Sequence, residues 1–177
     1  SYMRPGDTVA TLDGDLTNIQ AIVDTLPGVR ILYYEIDPVV FCGVQILSPI
    51  LFPKTKIVSR FEPIEKSLFS GSDKSSIRLV YFDFCGGPNK ANRVGIAEIS
   101  KYLPNIVGVF VTISKRQRQN LMARGHIHHM PTPTDFFLVE KIDSGAVVTF
   151  VFKKKTISPL RVGDDIEVDW SSDGVWY

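Results

Sequence analysis

The residues best suited to chemistry follow an apolar run near the middle of the chain. Residues 77–82 are mostly β-branched, aromatic or otherwise apolar, which predicts a strand buried on both faces. Asp83 ends this run, and Gly86, Gly87 and Pro88 then turn the chain. Because ligands bind at the carboxyl ends of central strands in parallel α/β sheets, we predict Asp83 as the catalytic carboxylate. The alternative is that Asp83 caps the next helix.

Acidic residues also follow two earlier apolar runs. Glu35 and Asp37 close the run over residues 29–36, directly before Pro38, and Asp13-Gly14-Asp15 follows the run over residues 8–12. Carboxylates at such strand ends can accept hydrogen bonds from the hydroxyl or ammonium groups of a ligand. The alternative for Asp13-Gly14-Asp15 is a strand-to-helix turn with a capping Asp. The alternative for Glu35 and Asp37 is a solvated strand end, with Pro38 starting a helix.

Three further groups have candidate roles. Cys85 suggests a nucleophile or substrate contact, although free cysteine is more often a small buried hydrophobe. A basic segment follows the last parallel strand, where it could bind phosphate or form a solvated helix face. It contains Lys115, Arg116, Arg118 and Arg124. The histidines within residues 126–129 have no Cys or acid close by in sequence, so we predict no metal site.

Composition places the chain among ordinary single domains. The 177 residues are 44% hydrophobic and 22% charged, with a formal net charge of +1, so nucleic-acid contact requires a local basic patch. Two cysteines form no disulfide framework, and no apolar run has the length of a membrane span. We therefore expect an intracellular protein, nuclear or cytoplasmic, with no membrane contact.

Strand and helix patterns alternate along most of the chain. Strands are predicted over residues 8–12, 29–36, 56–60, 77–83 and 106–113, and a terminal hairpin over 136–142 and 146–152. Helices are predicted over residues 18–26, 39–51, 62–69, 92–103 and 115–124. We expect Asp15 or Thr17 to cap the first of these helices, and we expect the helix over residues 39–51 to be buried. The fold prediction is α/β: a seven-stranded, mostly parallel doubly wound sheet with a reversed edge hairpin and a short β extension.

This order of elements resembles that of class I S-adenosylmethionine-dependent methyltransferases. The resemblance covers roughly Thr8 to Lys155, within a predicted domain over residues 3–155, and implies S-adenosyl-L-methionine as the cofactor. It places Asp13-Gly14-Asp15 in the cofactor loop, Glu35 or Asp37 at the ribose hydroxyls, and Asp83 beside the methyl group. The first loop has one glycine where the family usually has two or three. The implied cofactor-binding residues are Asp13, Gly14, Asp15, Glu35, Asp37 and Phe84.

Residues 156–177 form a separate β-rich extension in this interpretation. The alternating segment 162–170, followed by Trp176-Tyr177, resembles the opening of a Tudor-like barrel. Two functions follow. The first is a methyltransferase with nucleic acid as substrate, bound through Cys85 and the basic segment. The second is a catalytically inactive scaffold or chromatin-associated module that works with a partner protein subunit.

Overall fold

One seven-stranded sheet organises the chain. A computed structural model describes residues 3–12, 16–70, 74–84, 90–114 and 132–155. The strands are β1 (Thr8–Leu12), β2 (Arg30–Glu35), β3 (Lys56–Phe61), β4 (Ile77–Phe84), β5 (Gly108–Ser114), β6 (Phe136–Ser144) and β7 (Val147–Lys154). The helices are α1 (Thr17–Thr25), α2 (Pro38–Leu51), α3 (Ile64–Ser70), α4 (Lys90–Ala97) and α5 (Ile99–Tyr102).

The sheet order is β3-β2-β1-β4-β5-β7-β6, with β1 to β5 parallel and β7 antiparallel to both of its neighbours. The predicted doubly wound sheet with a reversed hairpin is therefore confirmed. The reversed strand β7 lies inside the edge, because β6 pairs outside it. Gly145 makes the hairpin turn with a φ of +70°, a conformation that glycine adopts without steric cost. Its N–H donates to Asp143 Oδ1 at 3.2 Å.

Helices cover the two faces of the sheet, which gives three layers. On the first face, α1 and α2 bury Ile19, Ile22 and Val44 against β1 and β2. On the second face, α3, α4 and α5 bury a larger apolar cluster against β1, β4 and β5. Side chains alternate between these faces along each strand, so β1 to β4 contribute to both cores, whereas β5, β6 and β7 contribute to the second-face core alone. This alternation decides which face each candidate side chain occupies.

Two predictions about burial need correction. We expected β4 to be buried on both faces, but Val80 and Phe82 are buried on the second face whereas Tyr81 is only half-buried on the first. No described helix covers the first face over β4, β5 and β7, and this explains the difference. We also expected a buried helix over residues 39–51. The helix is present as α2, but its outer side is exposed.

The predicted helix over residues 92–103 is two helices, α4 and α5, which meet at Glu98. Ile96, Ile99 and Leu103 are fully buried in the second-face core. Helix α4 also requires glycine at position 95, because a Cβ there would overlap the ring of Phe69 on α3. Close helix–helix packing therefore fixes this residue.

Residues 156–177, which carry the Tudor-like resemblance, lie outside the described residues. Among the described helices, none is long and apolar enough to cross a membrane.

Candidate functional site at the carboxyl edge of β1, β2 and β4

The chain reverses its winding direction at β1. From β1 it crosses over the first face through α1 to β2, and from β3 it crosses over the second face through α3 to β4. The crossovers diverge at the carboxyl ends of β1 and β4, which leaves a crevice between these two strands. Such a switch point is where open α/β sheets bind ligands. The polar groups around this crevice are therefore the candidate site.

Asn18 connects the two strands at the crevice. It lies in the first turn of α1, and its Nδ2 donates to the carbonyl of Leu12 at the end of β1 and to Asp83 Oδ2 on β4, each at 3.4 Å. Both neighbours are acceptors, so the amide nitrogen must face them. Asn18 thus fixes the Asp83 carboxylate relative to the start of α1.

Asp83 is half-buried on β4 and pairs with Thr112 of β5. Beside it, the buried Thr112 Oγ1 lies 2.8 Å from Tyr81 Oη and 2.8 Å from Thr149 Oγ1. These three hydroxyl groups form a hydrogen-bonded row across β4, β5 and β7, next to the Asp83 carboxylate. Asp83 lies within β4, which continues to Phe84, and residues 85–89 before α4 lie outside the described part of the chain. The catalytic and the capping interpretations of Asp83 therefore both stay predictions.

Glu35 ends β2, the strand on the other side of β1. Its Oε1 accepts from the N–H groups of Ile36 and Asp37 at 2.7 and 2.8 Å, and its Oε2 accepts from Tyr33 Oη at 3.2 Å. These bonds hold the carboxylate at the strand end. A carboxylate has about four acceptor positions, so three bonds leave little capacity for a ligand hydroxyl. Beside Glu35, Ile36 exposes 65% of its surface.

Asp37 is the N-cap of α2. Its Oδ1 accepts from the N–H groups of Val39 and Val40 at 2.8 and 3.2 Å, and Pro38 occupies the first helical turn. Pro38 thus starts a helix, as the structural alternative expected, and Asp37 also caps it, which we did not predict from the sequence. Phe84 lies on the second face, where its ring stacks on Phe82 with centroids 5.5 Å apart. Both residues therefore have packing or capping roles, and their cofactor contacts stay predictions.

A groove of about 180 Å³ adjoins the crevice on the first face. Its floor is formed by Leu79, Tyr81 and Phe110, and its wall is α1 from Asn18 to Leu26. The rings of Tyr81 and Phe110 stack with centroids 6.0 Å apart. The volume is below the roughly 300 Å³ at which small-molecule pockets begin. The groove is thus an extension of the crevice, and it is too small to hold a complete nucleoside cofactor.

Sequence reasoning missed one residue of the site. Asn18 gave no signal beyond a polar residue in a helix, since its partners are distant in sequence. Leu16, which precedes α1, has a φ of +67° and provides no side-chain cap. Our expectation that Thr17 caps this helix is wrong, because Thr17 is its first residue. A left-handed leucine is costly, and such strain clusters at functional sites.

Several predicted site residues lie outside the described part of the chain. They are Asp13, Gly14, Asp15, Cys85, Lys115, Arg116, Arg118 and Arg124. Among the residues that are described, no cluster of three or more His, Cys, Asp or Glu side chains could hold a metal ion.

The carboxylates and the apolar surface at the crevice fit S-adenosylmethionine in part. Glu35 and Asp83 end the strands on either side of β1, which places them about 10 Å apart across the sheet at the usual strand spacing. Carboxylates at this spacing suit a ligand with hydroxyl groups at one end and a cationic centre at the other. Ile36 adds exposed apolar surface next to Glu35 for a flat ring.

No protein-family model matches the sequence, and no curated protein matches it. Solved structures do match the fold. A candidate methylase of Haemophilus influenzae superposes with a TM-score of 0.62 at 11% identity, over 86% of this chain and 81% of that one. Fibrillarin, a pre-rRNA processing protein of Methanococcus jannaschii, gives 0.62 at 13% identity, over 86% and 68%.

The ribosomal protein L11 methylase of Lactobacillus delbrueckii gives a TM-score of 0.54 at 16% identity, over 87% of this chain and 72% of that one. Identities this low establish a shared fold alone. The chain has a seven-stranded mixed sheet with a reversed strand pair, in the Rossmann-like methyltransferase fold of these structures.

Proposed function

We propose that this chain is an S-adenosylmethionine-dependent methyltransferase that acts on nucleic acid, with RNA as the first candidate. The observation that carries the proposal is the position of Asp83. Asn18 holds this carboxylate at the point where β1 and β4 diverge, in a fold shared with methylases. The carboxylate thus lies where ligands bind in such sheets.

The cofactor would supply an electrophilic methyl group. Among the described residues, Glu35 would accept hydrogen bonds from ribose hydroxyls, and Ile36 would contact the adenine ring. Asp83 lies on the other side of β1 from Glu35, so it would face the other end of the ligand. In the proposal, Asp13, Gly14 and Asp15 complete the site because they directly follow β1 in sequence.

Asp83 would orient the methyl acceptor. A carboxylate accepts a hydrogen bond from an amino or hydroxyl group and can take its proton as the methyl group is transferred. Asn18 fixes the position of the carboxylate, and Thr112 packs beside it on the neighbouring strand. Preorganised groups of this kind cost little reorganisation during the reaction.

The basic segment supports nucleic acid as the substrate. Lys115, Arg116, Arg118 and Arg124 follow β5, and the carboxyl end of β5 lies at the same edge of the sheet as Asp83. The structural neighbours include both fibrillarin, described as a pre-rRNA processing protein, and a methylase of a ribosomal protein. The fold is thus compatible with both substrate classes, and the four cations favour a polyanion.

A catalytically inactive scaffold is the second candidate, and one observation favours it. The Glu35 carboxylate already accepts three hydrogen bonds from its own chain. If this arrangement persists when the site is saturated with ligand, little capacity remains for ribose hydroxyls. In that case the fold would serve binding to a partner protein.

Isothermal titration calorimetry with S-adenosylmethionine distinguishes the two candidates. For the enzyme we expect saturable binding, weakened about tenfold or more in Glu35→Gln, because a neutral amide accepts weaker hydrogen bonds than a carboxylate. Glu65→Gln removes the same charge from α3 and should leave the affinity unchanged. A folded protein that gives no binding heat at millimolar cofactor would contradict the enzyme and favour the scaffold.

A further inference from the structure

Helix α2 is a surface helix without a charged residue. From Pro38 to Pro53 the sequence contains no Asp, Glu, Lys, Arg or His, and its only side chains with amide or hydroxyl groups are Gln45 and Ser48. Within the helix, only Val44 and Ser48 are buried. A helix that is apolar all round normally lies inside a protein. Here one side packs on the sheet and the opposite side is exposed.

The exposed residues form one continuous stripe. At 100° per residue, Val39, Ile46 and Ile50 project within about 40° of one another, and Gly43 lies beside them. Val39 is 80% exposed, Ile46 66% and Ile50 69%. Leu47 borders the stripe with 44% of its surface exposed, whereas Leu51 projects about 100° away from Ile50, into a groove beside α1. The stripe therefore extends along almost the whole helix.

The area of this stripe suits a second copy of the chain. Its exposed side chains amount to on the order of 500 Å², within the range of the largest apolar patch of a monomer. Two copies meeting through the same stripe would bury about 1,000 Å², the area that a specific interface should reach. A contact of this size predicts a reversible dimer.

The absence of charge also favours self-association. In a two-fold symmetric contact the same patch lies on both sides, so a charge near the symmetry axis would face a like charge. This stripe carries none. Space above Gly43 is open, since a Cβ there would have no atom within 4 Å, and small residues allow helices to approach closely. A membrane-surface helix instead carries a strongly charged polar face, which α2 lacks.

We infer that α2 is the contact surface of a symmetric homodimer, formed by the stripe Val39, Gly43, Ile46, Leu47 and Ile50. Analytical ultracentrifugation of the chain should show a monomer–dimer equilibrium over about a hundredfold range of concentration. Ile46→Glu places like charges at the contact and should weaken the dimer about a hundredfold. Circular dichroism checks that each variant is folded.

Val94→Glu is the matched control, because Val94 is 51% exposed on another helix, α4. It should dimerise like the parent. Mixing Ile46→Glu with Ile46→Lys should restore a dimer, because the two variants place opposite charges at the contact. This result would show that each variant alone fails to dimerise because of repulsion between like charges. A parent that stays monomeric, or an Ile46→Glu variant that dimerises normally, would overturn the inference. So would a monomeric parent that binds neutral phospholipid vesicles.

Discussion

Replacing Asp83 with Asn separates a catalytic role from a structural one. The substitution keeps the size of the side chain and removes its charge. Loss of a positioned general base costs about a hundredfold to ten-thousandfold in rate, which corresponds to roughly 3 to 5 kcal/mol of transition-state stabilisation. We therefore expect Asp83→Asn to lose at least a hundredfold in kcat.

The stability cost should be much smaller. Asp83 is half-buried and its bond from Asn18 is long, at 3.4 Å. Weakening such a bond costs about 1 kcal/mol or less. A domain with a typical stability of about 5 to 15 kcal/mol stays folded after that loss. Unfolding therefore cannot explain a hundredfold loss of turnover.

The assay is transfer of a radioactive methyl group to RNA, with urea unfolding measured in parallel. Asp24→Asn is the control, since it removes an equal charge from an exposed position near the far end of α1. It should keep full activity. If Asp83→Asn retains turnover within about threefold of the parent, the assignment of Asp83 as catalytic is refuted.

Three further predictions concern packing, titration and salt. Gly95→Ala should lower the free energy of unfolding by about 1 to 3 kcal/mol, because the added methyl group overlaps the ring of Phe69. Gly43→Ala should raise it by about 0.5 to 1 kcal/mol, because the space there is open. Changes of the same sign for both variants in urea unfolding would contradict this. Burial raises the pKa of Tyr34, so the folded state disfavours the tyrosinate form. The free energy of unfolding should therefore fall as the pH rises above about 10. In unfolding measured against pH, Tyr34→Phe should show a smaller fall than the parent. Arg116→Ala combined with Arg118→Ala should flatten the salt dependence of RNA affinity by about two units of slope, and an unchanged slope would favour a solvated helix face.

Much of the fold could be predicted from local patterns. Apolar runs of four to eight residues, separated by helical periodicity, gave the strands and the doubly wound topology, and an Asp-Ser-Gly turn marked the reversed hairpin. These features depend on neighbours in sequence. The positions of Glu35, Asp37 and Asp83 at the carboxyl edge followed from the same patterns, because each of them ends an apolar run.

Tertiary structure decided what depends on partners far apart in sequence. Asn18 joins the site only because α1 returns beside β4, 65 residues away in the chain. The start of α2 likewise assigns a capping role to Asp37. The apolar sequence of α2 predicted burial, but periodicity cannot show whether another element covers each side of a helix. Burial is a property of the assembled layers, so only the folded chain shows that the outer side of α2 is exposed.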